Sequence, residues 1–234
     1  MFDRREVTVI GGGVIGLTAA LRLAEAGRRV GVVARAYSPQ TTSDIAAAVW
    51  YPFRAGPAEA VARWARAGYD VLRDLAAHAP SAGVTMVDGV ELGHGPLPDA
   101  AWHACVEGFR RLPPAEVPAP FRHGLAFRAP VVAMPTYLGW LRARAAAAGV
   151  AFRTADVTPA ALAAALDGGA TVVNCTGLGA RDLVGDDALY PIRGQIVRVA
   201  PGLAHGFVQA TQPPQPVTYV IPRPDCTVLG GTAE

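Results

Sequence analysis

Gly11, Gly13 and Gly16 stand in the run VTVIGGGVIG with the spacing G-x-G-x-x-G. That spacing suits one task, the holding of a nucleotide's pyrophosphate. Gly11 allows a tight turn, and Gly13 lets the backbone approach the phosphates. Gly16 lets the following helix pack close to the preceding strand. The first N–H groups of that helix are then available to phosphate oxygens. Arg35 ends the same stretch, where such units often carry an acid for a ribose hydroxyl. Read alone, Arg35 would suggest the 2′-phosphate of NADP.

The glycines carry this meaning only between the right elements. Val7 to Ile10 read as a strand buried on both faces, and Val30 to Ala34 as a second one. Between them, Val14, Leu17, Leu21 and Ala24 fall on one face of a helix. Gly27 is a natural helix stop. Further on, residues 57–77 read as a helix with Val61, Trp64, Ala65, Gly68, Leu72 and Leu75 on its packed face. Residues 78–134 are rich in proline, glycine and short apolar runs. Within them Val84 to Val87, Val90 to Leu92, Gly124 to Phe127 and Val131 to Met134 read as strands. Pro135 to Gly149 form a helix, Val150 to Arg153 a strand, and Leu162, Ala165 and Leu166 mark a short helix. TVVNCTGLGA is a strand running into a glycine turn. GQIVRV, VTYVIP and CTVLGG read as three more strands.

Composition narrows the function classes. The chain has 234 residues, of which 51% are hydrophobic and 17% charged, room for one large domain or two interleaved ones. A net charge of +2 without a basic run gives no case for nucleic acid. No stretch reaches about 18 apolar residues, so no membrane span is expected, and the opening segment does not read as a signal peptide. Cys105, Cys175 and Cys226 are far apart and form no C-x-x-C, which fits a reduced, cytoplasmic setting. The five histidines have no metal-ligand spacing, so no metal is expected. All 21 basic residues are arginine. That excludes a Schiff-base lysine, hence pyridoxal phosphate chemistry, and a Walker-type phosphate loop.

Several longer stretches, in order, resemble the D-amino acid oxidase family of FAD enzymes. They are VTVIGGGVIGLTAALRL, SPQTTSDIAAAVWYPF (Ser38 to Phe53), PTYLGWL, TVVNCTGLGA, PIRGQIVRV and TYVIPRPDCTVLGG. The resemblance implies an α/β fold with a discontinuous Rossmann-like FAD-binding domain, residues 1–56 and 136–190. A β-rich substrate-binding domain would comprise residues 57–135 and 191–234. It implies FAD as cofactor, with its pyrophosphate at Gly11, Gly13, Val14, Ile15 and Gly16. Thr41, Thr42 and Ser43 would contact its phosphates. A hydroxyl cluster suits that task on physical grounds too, although the same residues could cap a helix. Ala48, Val49 and Trp50 would lie along the flavin ring; relatives commonly have Gly-Leu where this chain has Ala48-Val49. Val157 would hold the adenine through its backbone, and Cys175, Thr176 and Gly177 would abut the cofactor. Arg35 would then lie near the adenosine, by hydrogen bond or stacking, or have no role. The Thr-Thr-Ser loop and the NCTG strand favour FAD over NADP.

On the substrate side, Tyr219 matches a family tyrosine whose hydroxyl binds the substrate carboxylate, and Tyr51 would shape the pocket. Gln209 and Thr211 lie where relatives acting on acidic substrates carry a basic residue, so neutral D-amino acids are expected. The reaction implied is oxidative deamination of a D-amino acid to a 2-oxo acid, ammonia and hydrogen peroxide. Hydride passes to the flavin and dioxygen reoxidises it. No catalytic acid or base is required, so no catalytic side chain is expected. The expected partners are a small-molecule D-amino acid substrate and dioxygen, with no nucleic acid and no membrane; a homodimer is left open. The competing readings are a glycine oxidase or a dehydrogenase of the same kind, an NADP-dependent reductase, and an inactive truncated chain. Family members continue beyond VLGG with an arginine that pairs the substrate carboxylate, a glycine-rich segment and a closing helix. The sequence alone therefore leads to the expectation that residues 1–234 hold FAD loosely and turn over little by themselves.

Overall fold

The computed structural model describes residues 3, 6–202, 206–210 and 217–232. In chain order its elements are β1 (Val7–Ile10), α1 (Val14–Glu25), β2 (Val30–Ala34), α2 (Thr42–Ile45) and α3 (Ala58–His78). There follow β3 (Val84–Gly93), β4 (Glu107–Arg111), β5 (His123–Val132), α4 (Met134–Ala147), β6 (Ala151–Thr154) and α5 (Pro159–Asp167). The chain continues with β7 (Thr171–Asn174), α6 (Ala180–Val184), β8 (Ile196–Val199), β9 (Phe207–Ala210), β10 (Thr218–Pro222) and β11 (Thr227–Gly230). The fold is α/β. Two compact units comprise residues 1–46 with 134–191, and residues 47–133 with 192–234.

The first unit is built on a four-stranded parallel sheet of order β6-β2-β1-β7. Every residue of β1 and β2 is buried, as two-sided burial of a central strand demands. Strand β1 passes through the glycine turn into α1 and returns as β2, the Rossmann-like crossover. The buried face of α1 is Gly16, Leu17, Ala20 and Leu21, and the helix packs against α4. Tyr37, just after β2, ties the sheet together by donating to the carbonyls of Val32 and Arg153 at 3.2 and 2.9 Å.

The second unit is a seven-stranded mixed sheet of order β4-β5-β3-β9-β10-β11-β8, antiparallel except where β3 runs parallel to β9. Strands β3 and β5 are each continuous and pair from Val84↔Val132 to Gly93↔His123. The sequence reading breaks both of them, at Asp88-Gly89 and at Arg128 to Pro130. In the structure Asp88 and Arg128 face each other across the pair, joined by an ion pair of 3.1 Å. Pro130 sits where no donor is needed, its carbonyl accepting from the N–H of Trp50 at 2.8 Å. Residues 47–56, expected with the nucleotide-binding part, lie in the second unit because Ala48 to Trp50 run along β5. Val49 bridges Val131 there, and Val132 N–H donates to the Ala48 carbonyl.

Helix α3 covers one face of this sheet, but not with the expected stripe. Trp64 is exposed, and the buried residues are Ala65 and Tyr69. One residue along a helix is a turn of about 100°, so Trp64 points away from the side that Ala65 buries. Tyr69 is fully buried because its hydroxyl is satisfied twice. It donates to the Arg128 carbonyl at 2.9 Å and accepts from the Glu107 N–H at 3.0 Å. Tyr69→Phe strands both backbone groups. An unsatisfied buried polar group costs about 1–3 kcal/mol, so a lowered thermal midpoint is expected. An unchanged midpoint would mean that water replaces the hydroxyl.

Candidate functional site

In the first unit the C-terminal ends of the parallel strands open into a cavity of about 770 Å³. This is the side of a parallel sheet where ligands bind. The glycine turn forms one wall. Gly11 has φ +127°, and a Cβ there would overlap the Cys175 backbone carbonyl at the end of β7; a Cβ on Gly16 would overlap the Gly11 carbonyl. Gly13 caps α1 without a side chain. The first turn of α1, whose N–H groups have no intrahelical acceptor, lies at the cavity edge with only its Val14 N–H taken, by Ser43 Oγ. The other walls come from the segments after β2, β6 and β7. Gly11, Gly13, Val14, Ile15, Arg35, Thr41, Thr42, Ser43, Val157, Cys175, Thr176 and Gly177 all line this cavity. Gly16 lies behind the turn, fully packed.

The hydroxyl loop has a divided structure. Ser43 Oγ accepts from the Val14 N–H at 3.1 Å, which fastens the loop to the start of α1. Thr41 caps α2: its hydroxyl and N–H both donate to Asp44 Oδ2, at 2.6 and 2.9 Å. Ser38 donates to the other carboxylate oxygen at 2.5 Å. Of the readings the sequence left open, helix capping therefore holds for Thr41, while the Ser43 hydroxyl keeps its own proton to donate. Asp44 is 4% exposed. Burial alone would raise its pKa, but the bonds from Ser38 and Thr41 outweigh that and hold it below the usual aspartate value.

Two further contacts bear on the cofactor. Arg35 Nε lies 3.9 Å from Asp156 Oδ1, both on the exposed cavity rim. A 2′-phosphate placed at Arg35 would meet that carboxylate, whereas a ribose hydroxyl can donate to it. Asn174 Oδ1 accepts from the Thr176 N–H and hydroxyl at 3.1 and 2.7 Å, shaping the turn after β7. Burial pushes the Cys175 thiol up, so it remains a neutral packing group. The parts thus fit the ADP half of FAD: a glycine-capped helix start for the pyrophosphate, a donor hydroxyl beside it, and a carboxylate for the ribose.

In the second unit Trp50 packs edge-on to Tyr69 and Trp102, at centroid distances of 5.1 and 5.9 Å. Ala48, Val49 and Trp50, expected along the flavin ring, belong to this unit rather than to the cavity walls. The Tyr51 hydroxyl donates to Glu91 Oε1 at 2.8 Å. Tyr219 lays its ring over Gly230 and Gly231. Its hydroxyl makes no hydrogen bond to any described residue, and burial pushes its pKa up. Thr211 lies outside the described residues. The sequence reading missed Asp44, Asn174, Asp156 and Glu91. Glu91 did leave a signal, a carboxylate in the apolar run Val90-Glu91-Leu92.

Residues 6–234 match the family described as FAD dependent oxidoreductase (DAO). The chain is 46% identical over 228 residues to a D-amino-acid oxidase of Rubrobacter xylanophilus, covering 97% of this chain and 69% of that relative. It is 44% identical to a D-amino-acid oxidase of Streptomyces coelicolor, covering 98% of this chain and 70% of the relative. Among solved structures, glycine oxidase of Geobacillus kaustophilus matches with a TM-score of 0.72 at 20% identity, over 98% of this chain and 72% of that one. The chain belongs to the FAD-dependent oxidoreductase family that includes the D-amino-acid oxidases.

The depressed Asp44 pKa has a testable sign. Its bonds contribute stability above the ordinary aspartate value of about 3.9, and that contribution is lost as pH falls through the lower folded value. Asp44→Asn is expected to cost about 0.5–2 kcal/mol at neutral pH, the worth of a helix cap. It should also reduce the fall of the thermal midpoint on acidification. Parallel midpoint-against-pH curves for the two proteins would show that Asp44 is not ionised in the native loop.

Proposed function

We propose that this protein is an FAD-dependent D-amino acid oxidase. It would convert D-amino acids, neutral ones in preference to acidic ones, to 2-oxo acids, ammonia and hydrogen peroxide, with dioxygen as electron acceptor. The observation that carries the reading is 44–46% identity to two D-amino-acid oxidases along 97–98% of the chain. The rival readings, a glycine oxidase or a dehydrogenase, have no comparable support, because the glycine oxidase likeness at 20% identity speaks for the fold alone. The three cysteines are free, which supports a reducing, cytoplasmic location. Among the described residues no helix is long and apolar enough to cross a membrane.

Bound FAD supplies the two-electron acceptor for the hydride that leaves the substrate Cα. The chain's own residues bind and orient. Gly11, Gly13, Val14 and Ile15 hold the pyrophosphate at the start of α1, with Gly16 packed behind the turn and Thr42 and the free proton of Ser43 beside it. Arg35, Asp156 and Val157 border the adenosine. Cys175, Thr176 and Gly177 close the turn against the cofactor, while Ala48, Val49 and Trp50 serve the flavin ring. Tyr219 donates its hydroxyl, which has no partner among the described residues, to the substrate carboxylate. Tyr51 shapes the side-chain pocket. Orientation is the protein's main contribution, since hydride transfer depends on alignment rather than on an acid or base.

Tyr219→Phe should weaken D-alanine binding more than it slows flavin reduction. A hydrogen bond to a charged group contributes about 1.5–3 kcal/mol, or roughly 10- to 150-fold in affinity. Rapid mixing of FAD-loaded protein with D-alanine separates the two terms. Unchanged affinity would make Tyr219 a packing residue.

A further inference from the structure

Helix α3 has a second apolar face besides the one it packs on its own sheet. Ala65 and Tyr69 mark the buried side. At about 100° per residue, Ala60, Trp64, Ala67 and Val71 fall within about 60° of one another, roughly opposite that side. Trp64 is 64% exposed and Val71 38%, while Ala67 is exposed and Ala60 half-buried. Their spacing of four, three and four residues is that of a seam between paired helices. Single exposed apolar residues are ordinary on a protein surface. A tryptophan set in such a stripe is not, because aromatic side chains dominate the energetics of interfaces.

The stripe alternates small and large residues, and this makes it complementary to itself. When a second α3 runs antiparallel to the first, Trp64 comes opposite Ala67 of the second copy. Val71 then comes opposite Ala60 of the second copy, and a two-fold axis repeats both contacts. Each large side chain meets a small one, which lets the helix axes approach to about 8–10 Å.

The charges beside the stripe fit the same axis. Arg63 and Asp70 are seven residues apart along one edge. In the antiparallel pair Arg63 faces Asp70 of the second copy, and Asp70 faces its Arg63. Within one chain Arg63 makes no ion pair with any described residue. Asp70 lies 3.2 Å from Arg73 of its own helix, in an exposed pair, and Arg73 also has Glu107 at 3.6 Å. Exposed pairs of this kind are weak, so Asp70 can turn to a second arginine at little cost.

We propose that the outer face of α3 is the surface on which two copies of this chain associate, antiparallel about a two-fold axis. One helix against one helix lies at the small end of interface sizes, so the dimer is reversible, with a dissociation constant in the micromolar range. The assignment is independent of the reaction that the protein catalyses.

Sedimentation equilibrium of FAD-loaded protein from the full reading frame, from nanomolar to high micromolar concentration, tests it. A monomer–dimer equilibrium is expected, weakened about tenfold or more by Trp64→Ala. Arg63→Asp and Asp70→Arg should each weaken it by bringing like charges together. The double reversal should restore it to within about threefold of wild type. Positions 63 and 70 are two helical turns apart, too far for that rescue to arise within one chain. None of these side chains is buried, and unchanged thermal midpoints confirm that the variants fold. A protein that stays monomeric at high micromolar concentration overturns the proposal. So does a dimer indifferent to Trp64→Ala, which would place the interface on another face. A double reversal no tighter than the single ones overturns the antiparallel arrangement and the proposal with it.

Discussion

The backbone carbonyl of Cys175 fixes what residue 11 can be. It lies where any side chain at that position would project, and the Gly11 carbonyl does the same to residue 16. The first contact follows from pairing β1 directly with β7, so that Ile10 stands beside Asn174, and the second from the tight turn that leads β1 into α1. The chain after β1 is therefore bare backbone, and α1 begins close against the sheet with no side chain of its own cap residue over its first turn. The cavity takes its place from that arrangement. The loop carrying Ser43 is then held to the start of α1 by a single bond to Val14 and kept in shape by the buried carboxylate of Asp44.

The second unit obeys a different constraint, the register of a mixed sheet. Strand β9 runs parallel to β3 but antiparallel to β10. It thereby brings residues from distant parts of the chain to one level on one face. The aromatic side chains of Trp50, Trp102, Phe127 and Phe207 pack on that face, and Tyr219 joins their margin.

Local patterns were legible in the sequence, and pairings between distant segments were not. Strands β1 and β2 were readable to the residue because two-sided burial leaves an unbroken apolar run closed by glycine or a charge. Tyr219 is singled out in the sequence by the family motif around it, but its position over Gly230 comes only from the pairing of β10 with β11. Strands β3 and β5 were broken too early, since Gly89 and Pro130 are local breakers whose exemption comes only from their partners across the sheet. Trp64 was placed inward because a helical stripe read from one sequence cannot tell which edge faces the sheet. Tyr69, with two backbone partners far along the chain, is what anchors α3. The bond that ties Glu91 to Tyr51 joins residues 40 apart, which no local pattern shows. Gln209 becomes a neighbour of Glu91 only through the parallel pairing of β3 and β9.

An enzyme that takes hydride from D-amino acids must distinguish the two enantiomers of its substrate. The most direct test is anaerobic mixing of FAD-loaded protein, made from the full reading frame, with D-alanine and separately with L-alanine, followed by the visible flavin absorbance. Bleaching by the D enantiomer and none by the L enantiomer is expected. Bleaching by L-alanine, or by neither enantiomer at saturating concentration, would contradict it.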